Sequence, residues 1–338
     1  MEKLPTLCKP LDMLTDGGLP TGTITQVFGE KALGKSILCF QAACATVAEG
    51  RTAIVLDTEQ SYMSYLVEYR LPGMRKRFGK EISVREARLE KVTKTAKKKG
   101  VSRSELVSLL GGTLNQAGVV YSESHLSSVA DILCPEFDVQ VDAPEEPAVL
   151  VVQMPEITDL LKFHGVDADK AVSKGGRVEL QLKSTPVYLS ALHRLVDQTK
   201  TKLLIYDSLS APLKSTFPST QDLPARSSSL AMLLSHAQRL CIEFGISVLT
   251  TSHVSIDPIN AWDRRPYGGI VLGHDAKFSF ELTKSDATRN SKGNPVPVNP
   301  EDQPGAASDG RAVWVQRHPA MADYSQYGFS MLDKEGFH

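Results

Sequence analysis

"QVFGEKALGKSIL" (residues 26–38) decides how the rest of this 338-residue chain is read. Gly29 is followed by four residues and then by Gly34-Lys35-Ser36, the spacing of a P-loop. In such a loop, consecutive backbone N–H groups converge on a concave surface that binds an anionic phosphate, and glycines let the chain curl tightly enough to make it. Gly29, Glu30, Lys31, Ala32, Leu33, Gly34, Lys35, Ser36 and Ile37 are therefore candidate ATP-binding residues. Lys35 would reach the β- and γ-phosphates, and Ser36 would offer its hydroxyl to Mg²⁺. The flanks agree with this reading. "TITQVFG" alternates and is rich in β-formers, which predicts a strand, and "SILCFQAACATVAEG" predicts a helix closed by Gly50. The N-terminal dipole of that helix favours a phosphate.

Further along the chain, strand-like and helix-like segments alternate, which predicts an α/β fold with a central, mostly parallel sheet flanked by helices. "TAIVLDTE" (52–59), "AVLVVQM" (148–154), "KLLIYDS" (202–208) and "ISVLTTSH" (246–253) read as strands, and an amphipathic helix, "SSLAMLLSHAQRLCIEFG", separates the last two. "AKFSFEL" and "RAVWVQRH" read as paired strands joined by a loop over 284–310. Hydrolysis needs a carboxylate near Mg²⁺ and a group that orients water. Asp207 ends an apolar strand, as in a Walker B motif, where α/β sheets keep their ligands. Glu59 ends "VLDTE", a strand expected to lie beside the P-loop strand.

Composition narrows the class. Hydrophobic residues make up 41% and charged residues 23%, ordinary for a globular chain, and the net charge of −1 excludes a polycation. Any nucleic-acid surface must be local. The five cysteines form no CxxC, which points to reduced thiols rather than disulfides or zinc. The first residues lack the apolar core of a signal peptide, and no apolar run reaches membrane-spanning length, so a cytoplasmic protein without a membrane partner is expected.

Residues 74–147 break the alternation. Arg75 to Arg103 holds twelve Lys/Arg against three Glu, and Glu123 to Glu146 holds seven Asp/Glu with no Lys or Arg. Such a shift predicts an inserted small subdomain over 74–147, between core segments 1–73 and 148–338; a long solvated helix followed by an acidic loop would give the same composition. Within it, "TAKKKGVSRSELVSLLGG" sets Ala96, Gly100, Ser102 and Leu106 at helix-turn-helix spacing. The stretch is either a duplex-DNA contact or a basic helical hairpin.

The order of these pieces carries a resemblance. The P-loop, "LDTE", "LLIYDS" with its following helix, "VLTTSH" and "YGGIVLGHDAKFSFEL" resemble the ATPase core of the RecA/RadA recombinase family, and most of all its archaeal RadB and recombinase-paralogue branch. The likeness covers 10–70 and 148–283, with a weaker tail to 332. It implies a RecA-like P-loop ATPase with ATP and Mg²⁺ as cofactors. Lys35 and Ser36 would hold phosphate and Mg²⁺, Asp207 would support the metal, and Glu59 would position the attacking water. Arg226 falls in the place of the family's first DNA-binding loop, and Arg264 and Arg265 in that of the second. His274 matches a family histidine near the γ-phosphate and the second loop, and is grouped with the DNA-facing residues. Pro319 matches a proline that caps ATP bound by a neighbouring subunit.

The departures refine these expectations. Family members usually carry Gln or Asn-Gln after the fifth strand, sensing the γ-phosphate; here Ser252-His253 stands there. His253 either joins the catalytic set as a hydrogen-bond donor or is a satisfied histidine at a strand end. The family's front DNA-binding domain and Phe-containing oligomerisation motif have no counterpart ahead of Phe28. The expected role is thus a slow, DNA-dependent ATPase serving homologous recombination and DNA repair as an accessory factor or mediator. Expected partners are single-stranded DNA, duplex DNA through the insert, and a recombinase of the same family, in a homo- or hetero-oligomer. The alternative is a nucleotide-gated DNA- or protein-binding regulator, similar to KaiC, with little ATPase activity.

Overall fold

The computed structural model describes residues 2–91, 137–140, 146–172, 178–184, 190–256, 264–267, 275–284, 287–289, 295–297 and 310–338. The proposed helix-turn-helix, most of the acidic stretch and His274 lie outside these residues. Strand β1 (Ile24–Gly29) leads through the P-loop into α1 (Lys35–Ala48) and β2 (Ala53–Asp57). Helix α2 (Leu71–Phe78), β3 (Ser83–Glu86), β4 (Ala148–Gln153), α3 (Ile157–Phe163) and α4 (Ala191–Thr199) follow. Then come β5 (Leu203–Asp207), α5 (Ser210–Thr216), α6 (Leu223–Phe244), β6 (Ser247–Ile256) and β7 (Arg264–Pro266). The last strands are β8 (Phe278–Lys284), β9 (Gly310–Arg317), β10 (Tyr327–Asp333) and β11 (Gly336–Phe337).

These strands form one sheet in the order β11-β10-β9-β8-β1-β6-β5-β2-β4-β3, with β7 paired to β6. Neighbours from β8 to β3 run parallel, and β9, β10 and β11 continue the sheet antiparallel. Strands β2, β4 and β5 are almost continuous apolar runs, as expected where helices cover both faces of a sheet. Period-two alternation divides the core accordingly. Ile54, Leu56, Leu150 and Val152 pack toward α3, α4 and α6, whereas Ala53, Val55, Val149 and Val151 pack toward α1 and α2. Three central strands are also stitched by buried side chains: Gln26 donates to Ser252 Oγ at 3.0 Å and accepts from Ser279 Oγ at 3.2 Å. Each partner satisfies a polar group that burial would otherwise strand.

One reading of the sequence is corrected. The strand leading to Glu59, β2, does not neighbour the P-loop strand; β6 and β5 stand between them. Helix α2 crosses the boundary expected between residues 73 and 74, and β3 joins the main sheet beside β4. Helix α2 is held to the C-terminal turn by Gly73, where a Cβ would stand 2.6 Å from the Lys334 carbonyl oxygen. Arg77 donates to the Phe337 and Leu7 carbonyls. Among the described residues, Cys8, Cys39, Cys44 and Cys241 are buried and unbridged, and no helix is long and apolar enough to cross a membrane.

Candidate nucleotide site

The site is assembled at the carboxyl ends of the central strands. Register pairs His253 with Gly29 and Asp207 with Asp57, so the ends of β6, β1, β5 and β2 stand side by side. From β1 the chain turns into α1 through Gly34, whose φ of 96° lies in the left-handed region open to glycine. A Cβ there would also meet Leu332 Cδ2 at 2.7 Å, because the β10–β11 hairpin packs against the loop. The first N–H groups of α1 are left without helical partners and point toward the loop, an arrangement that suits an anion. Lys35 begins the helix and is buried; its Nζ donates to the carbonyls of Gly29 at 3.0 Å and Glu30 at 2.6 Å. Burial lowers the Lys35 pKa, while the charges of Asp207 and Glu59 pull it back up.

Two carboxylates face this lysine. Asp207 is buried; its Oδ1 accepts from the Thr251 hydroxyl at 2.5 Å, and its Oδ2 has no hydrogen-bond partner. Burial raises its pKa, and the hydroxyls of Thr251 and Ser36 oppose that. The Tyr62 hydroxyl stands close enough to act on the same charge but outside hydrogen-bond geometry. Glu59 Oε1 accepts from Ser208 Oγ at 2.9 Å and lies 3.5 Å from His253 Nε2. The histidine contact, more than the Ser208 hydroxyl, lowers the Glu59 pKa against the effect of burial. The turn that presents Glu59 is itself fixed. Asp57 accepts from the backbone N–H groups of Glu59 at 3.2 Å and Tyr62 at 2.9 Å, and the Thr58 hydroxyl bonds both the N–H and the carbonyl of Ser208.

A cavity of about 1030 Å³ opens here, lined by Lys31, Ala32, Gly34, Lys35, Ser36 and Ile37 together with Glu59, Asp207 and His253. Gly29, Glu30 and Leu33 are not part of that lining; Gly29 and Leu33 are buried and Glu30 is exposed. Pro319 is exposed on the turn after β9 and is not part of this cavity wall. Arg226, at the start of α6, donates to the Tyr267 hydroxyl at 2.6 Å; Arg264 and Arg265 lie on β7, with Arg265 exposed. The remaining wall was not anticipated: Tyr65, Arg70, Lys214, Arg311 and the turn Leu332–Lys334. Arg311 is buried and its Nε donates to the Leu33 carbonyl at 3.1 Å, tying β9 to the P-loop. A basic residue heading the apolar strand "RAVWVQ" was the available signal for it.

The Ser36 hydroxyl and the Asp207 carboxylate, whose Oδ2 is uncommitted, form a hard-oxygen pair of the kind Mg²⁺ prefers. Among the described residues no cluster of three or more His, Cys, Asp or Glu side chains could hold a metal by itself.

The family model described as Rad51 matches residues 1–92 and 178–305. The DNA repair and recombination protein RadB of Methanococcoides burtonii is 48% identical over 58 residues, which are 17% of this chain and 26% of that protein. RadB of Thermoplasma volcanium is 44% identical over 59 residues, 18% and 25% of the two chains. The DNA repair protein rhp51 of Schizosaccharomyces pombe is 33% identical over 94 residues, 27% and 26%. The matched stretches thus span about a quarter of each relative's length. A crystal structure of the RadB recombinase superposes with a TM-score of 0.48 at 15% identity, covering 99% of this chain and 98% of that one.

Proposed function

The chain belongs to the Rad51 family, and from that membership we propose that it binds Mg·ATP, hydrolyses it slowly, and acts on DNA as an accessory factor or mediator in homologous recombination and repair. One observation carries the reading: Lys35 and Ser36 from the first turn of α1, Glu59 and Asp207 from the ends of β2 and β5, and His253 from β6 line one cavity. The P-loop amides and Lys35 bind the triphosphate, and for this Lys35 exchanges the Gly29 and Glu30 carbonyls for phosphate oxygens. Ser36 and Asp207 hold Mg²⁺, which when bound neutralises charge on the phosphate oxygens. Glu59 stays ionised beside Ser208 and His253 and orients the attacking water. His253 senses the terminal phosphate from the same position. Arg226, Arg264, Arg265 and His274 contact DNA phosphates, and Pro319, exposed and outside the lining of its own cavity, reaches a neighbouring subunit's nucleotide. That neighbour is a second copy or a recombinase of the same family.

A nucleotide-gated DNA- or protein-binding regulator with little turnover is the second reading. It is favoured by Glu59 being engaged by Ser208 as well as His253, which competes with water for the carboxylate. Turnover with and without single-stranded DNA separates the two. The ATPase reading expects measurable turnover that DNA stimulates, and a Glu59→Gln protein that retains ATP but loses turnover by roughly 100-fold or more. Parental turnover in Glu59→Gln would reassign Glu59 as structural. Absence of turnover in the parent, with ATP still bound, would favour the regulator.

A further inference from the structure

The ring of Tyr62 is fully buried and is held from two directions. Its backbone N–H donates to Asp57 Oδ2 at 2.9 Å where a single π-helical turn, Tyr62–Leu66, begins. Its ring meets Phe40 of α1 edge-on, with 5.9 Å between centroids. Such π-turns are rare and recur at functional sites. So fixed, the hydroxyl stands within electrostatic reach of Asp207, Cys39 and Asp57. The Asp57 oxygens already accept from the backbone N–H groups of Glu59 and Tyr62, and a thiol is a weak acceptor. Asp207 Oδ2 is different. Among the described residues it has no hydrogen-bond partner, and neither has Tyr62 Oη, although both atoms are buried.

A buried hydroxyl without a partner costs stability, and a phenylalanine would fill the same ring space against Phe40 without that cost. The oxygen therefore needs a reason beyond packing. Thr251 fixes one oxygen of Asp207 at 2.5 Å and leaves the other free. Carboxylates that support a cation are oriented by hydrogen bonds from an outer ring of donors. A phenol is such a donor at neutral pH, and a carboxylate oxygen has lone pairs for two partners. We propose that Tyr62 is the positioning residue of Asp207: when the site takes up Mg²⁺, a small turn of the carboxylate lets Tyr62 Oη donate to Oδ2 and hold it toward the cation. Tyr62 is not in the cavity wall, so it acts through Asp207 alone. The inference rests on the Mg·ATP reading above and adds the residue that orients its metal-supporting carboxylate.

Tyr62→Phe removes this one oxygen and keeps the ring. The test is a Mg²⁺ titration of the binding of a labelled, non-hydrolysable ATP analogue, beside a denaturant titration of the protein without ligands. The variant should need about 10-fold more Mg²⁺ than wild type for half-maximal binding. Its affinity for the analogue in EDTA should stay within twofold of wild type. Its denaturation midpoint should be unchanged or higher, because a buried hydroxyl without a partner has been removed. A hydroxyl that serves packing alone would give the opposite pair, a lower midpoint with an unchanged Mg²⁺ requirement. That result would overturn the inference, as would an unchanged Mg²⁺ requirement at any stability. A wild type that binds no analogue, or binds it equally well in EDTA, would instead contradict the Mg·ATP reading itself.

Discussion

Tyr206 and Asp207 are consecutive residues of β5, both buried, yet they end in opposite surroundings. Tyr206 points into the layer of α3 and α6, where its hydroxyl meets His164 Nε2 at 3.0 Å and His236 Nδ1 lies 2.7 Å from the His164 carbonyl oxygen. Asp207 points to the other face, beside the P-loop. Burial shifts the titration of both residues upward. Each neighbourhood also keeps a buried polar atom without a partner, His164 Nδ1 in one and Asp207 Oδ2 in the other. What separates them is access. Asp207 opens on a cavity shared with a lysine, a second carboxylate and a histidine, whereas His164 is not in its wall. Depth and a shifted pKa therefore do not identify a site; a partnerless atom facing a charged cavity does.

The largest effect expected from this contrast is in acid. Burial, with a smaller contribution from His236, lowers the His164 pKa to about 3 from an ordinary value near 6.5. The unfolded chain then binds the proton first, so stability is full above about pH 6.5 and falls as pH drops toward 3. At 1.36 kcal/mol per pKa unit the whole window is worth roughly 4–5 kcal/mol. Denaturant titrations at pH 7.5 and 4.5 should differ by roughly 2–3 kcal/mol more in wild type than in His164→Gln. An equal difference in the two proteins would remove His164 from the account.

Asp207→Asn comes next. Turnover should fall by about 100-fold with a changed Mg²⁺ dependence. Stability should hold or rise, because a carboxylate whose folded pKa is raised costs stability once pH exceeds its ordinary value. A destabilised protein with unchanged turnover would place Asp207 among the structural residues with Tyr206.

Tyr206→Phe should show the reverse at smaller size. Losing the hydroxyl leaves His164 Nε2 without its partner, at a cost of about 1–2 kcal/mol in chemical denaturation. Affinity for ATP should stay within twofold of wild type. A large loss of ATP affinity would mean that the two faces of β5 communicate.

Much of the phosphate end of the site was legible because it is local. Gly29 through Ser36 lie within one turn of chain, and the apolar strands announce their own ends at Asp57, Asp207 and His253. Strand order was not legible, since pairing β2 with β5 and β1 with β6 joins residues some 150 to 220 positions apart. The wall formed by Lys214, Arg311 and Leu332–Lys334 escaped notice for the same reason. Its residues belong to elements that meet only when the sheet is closed by β9, β10 and β11. Tyr267 between Lys214 and Arg226 is likewise a product of tertiary packing, and no spacing in the sequence marks it.

The central claim is that the cavity at these strand ends is a Mg·ATP site whose cation is Lys35. Equilibrium titration of a labelled ATP analogue against wild type and Lys35→Ala, with circular dichroism to confirm the fold, tests it directly. The account predicts saturable, Mg²⁺-dependent binding to wild type and a loss of at least about 100-fold in Lys35→Ala, because the triphosphate loses a charge-assisted contact in a buried setting. Unchanged affinity in a folded Lys35→Ala protein would contradict it.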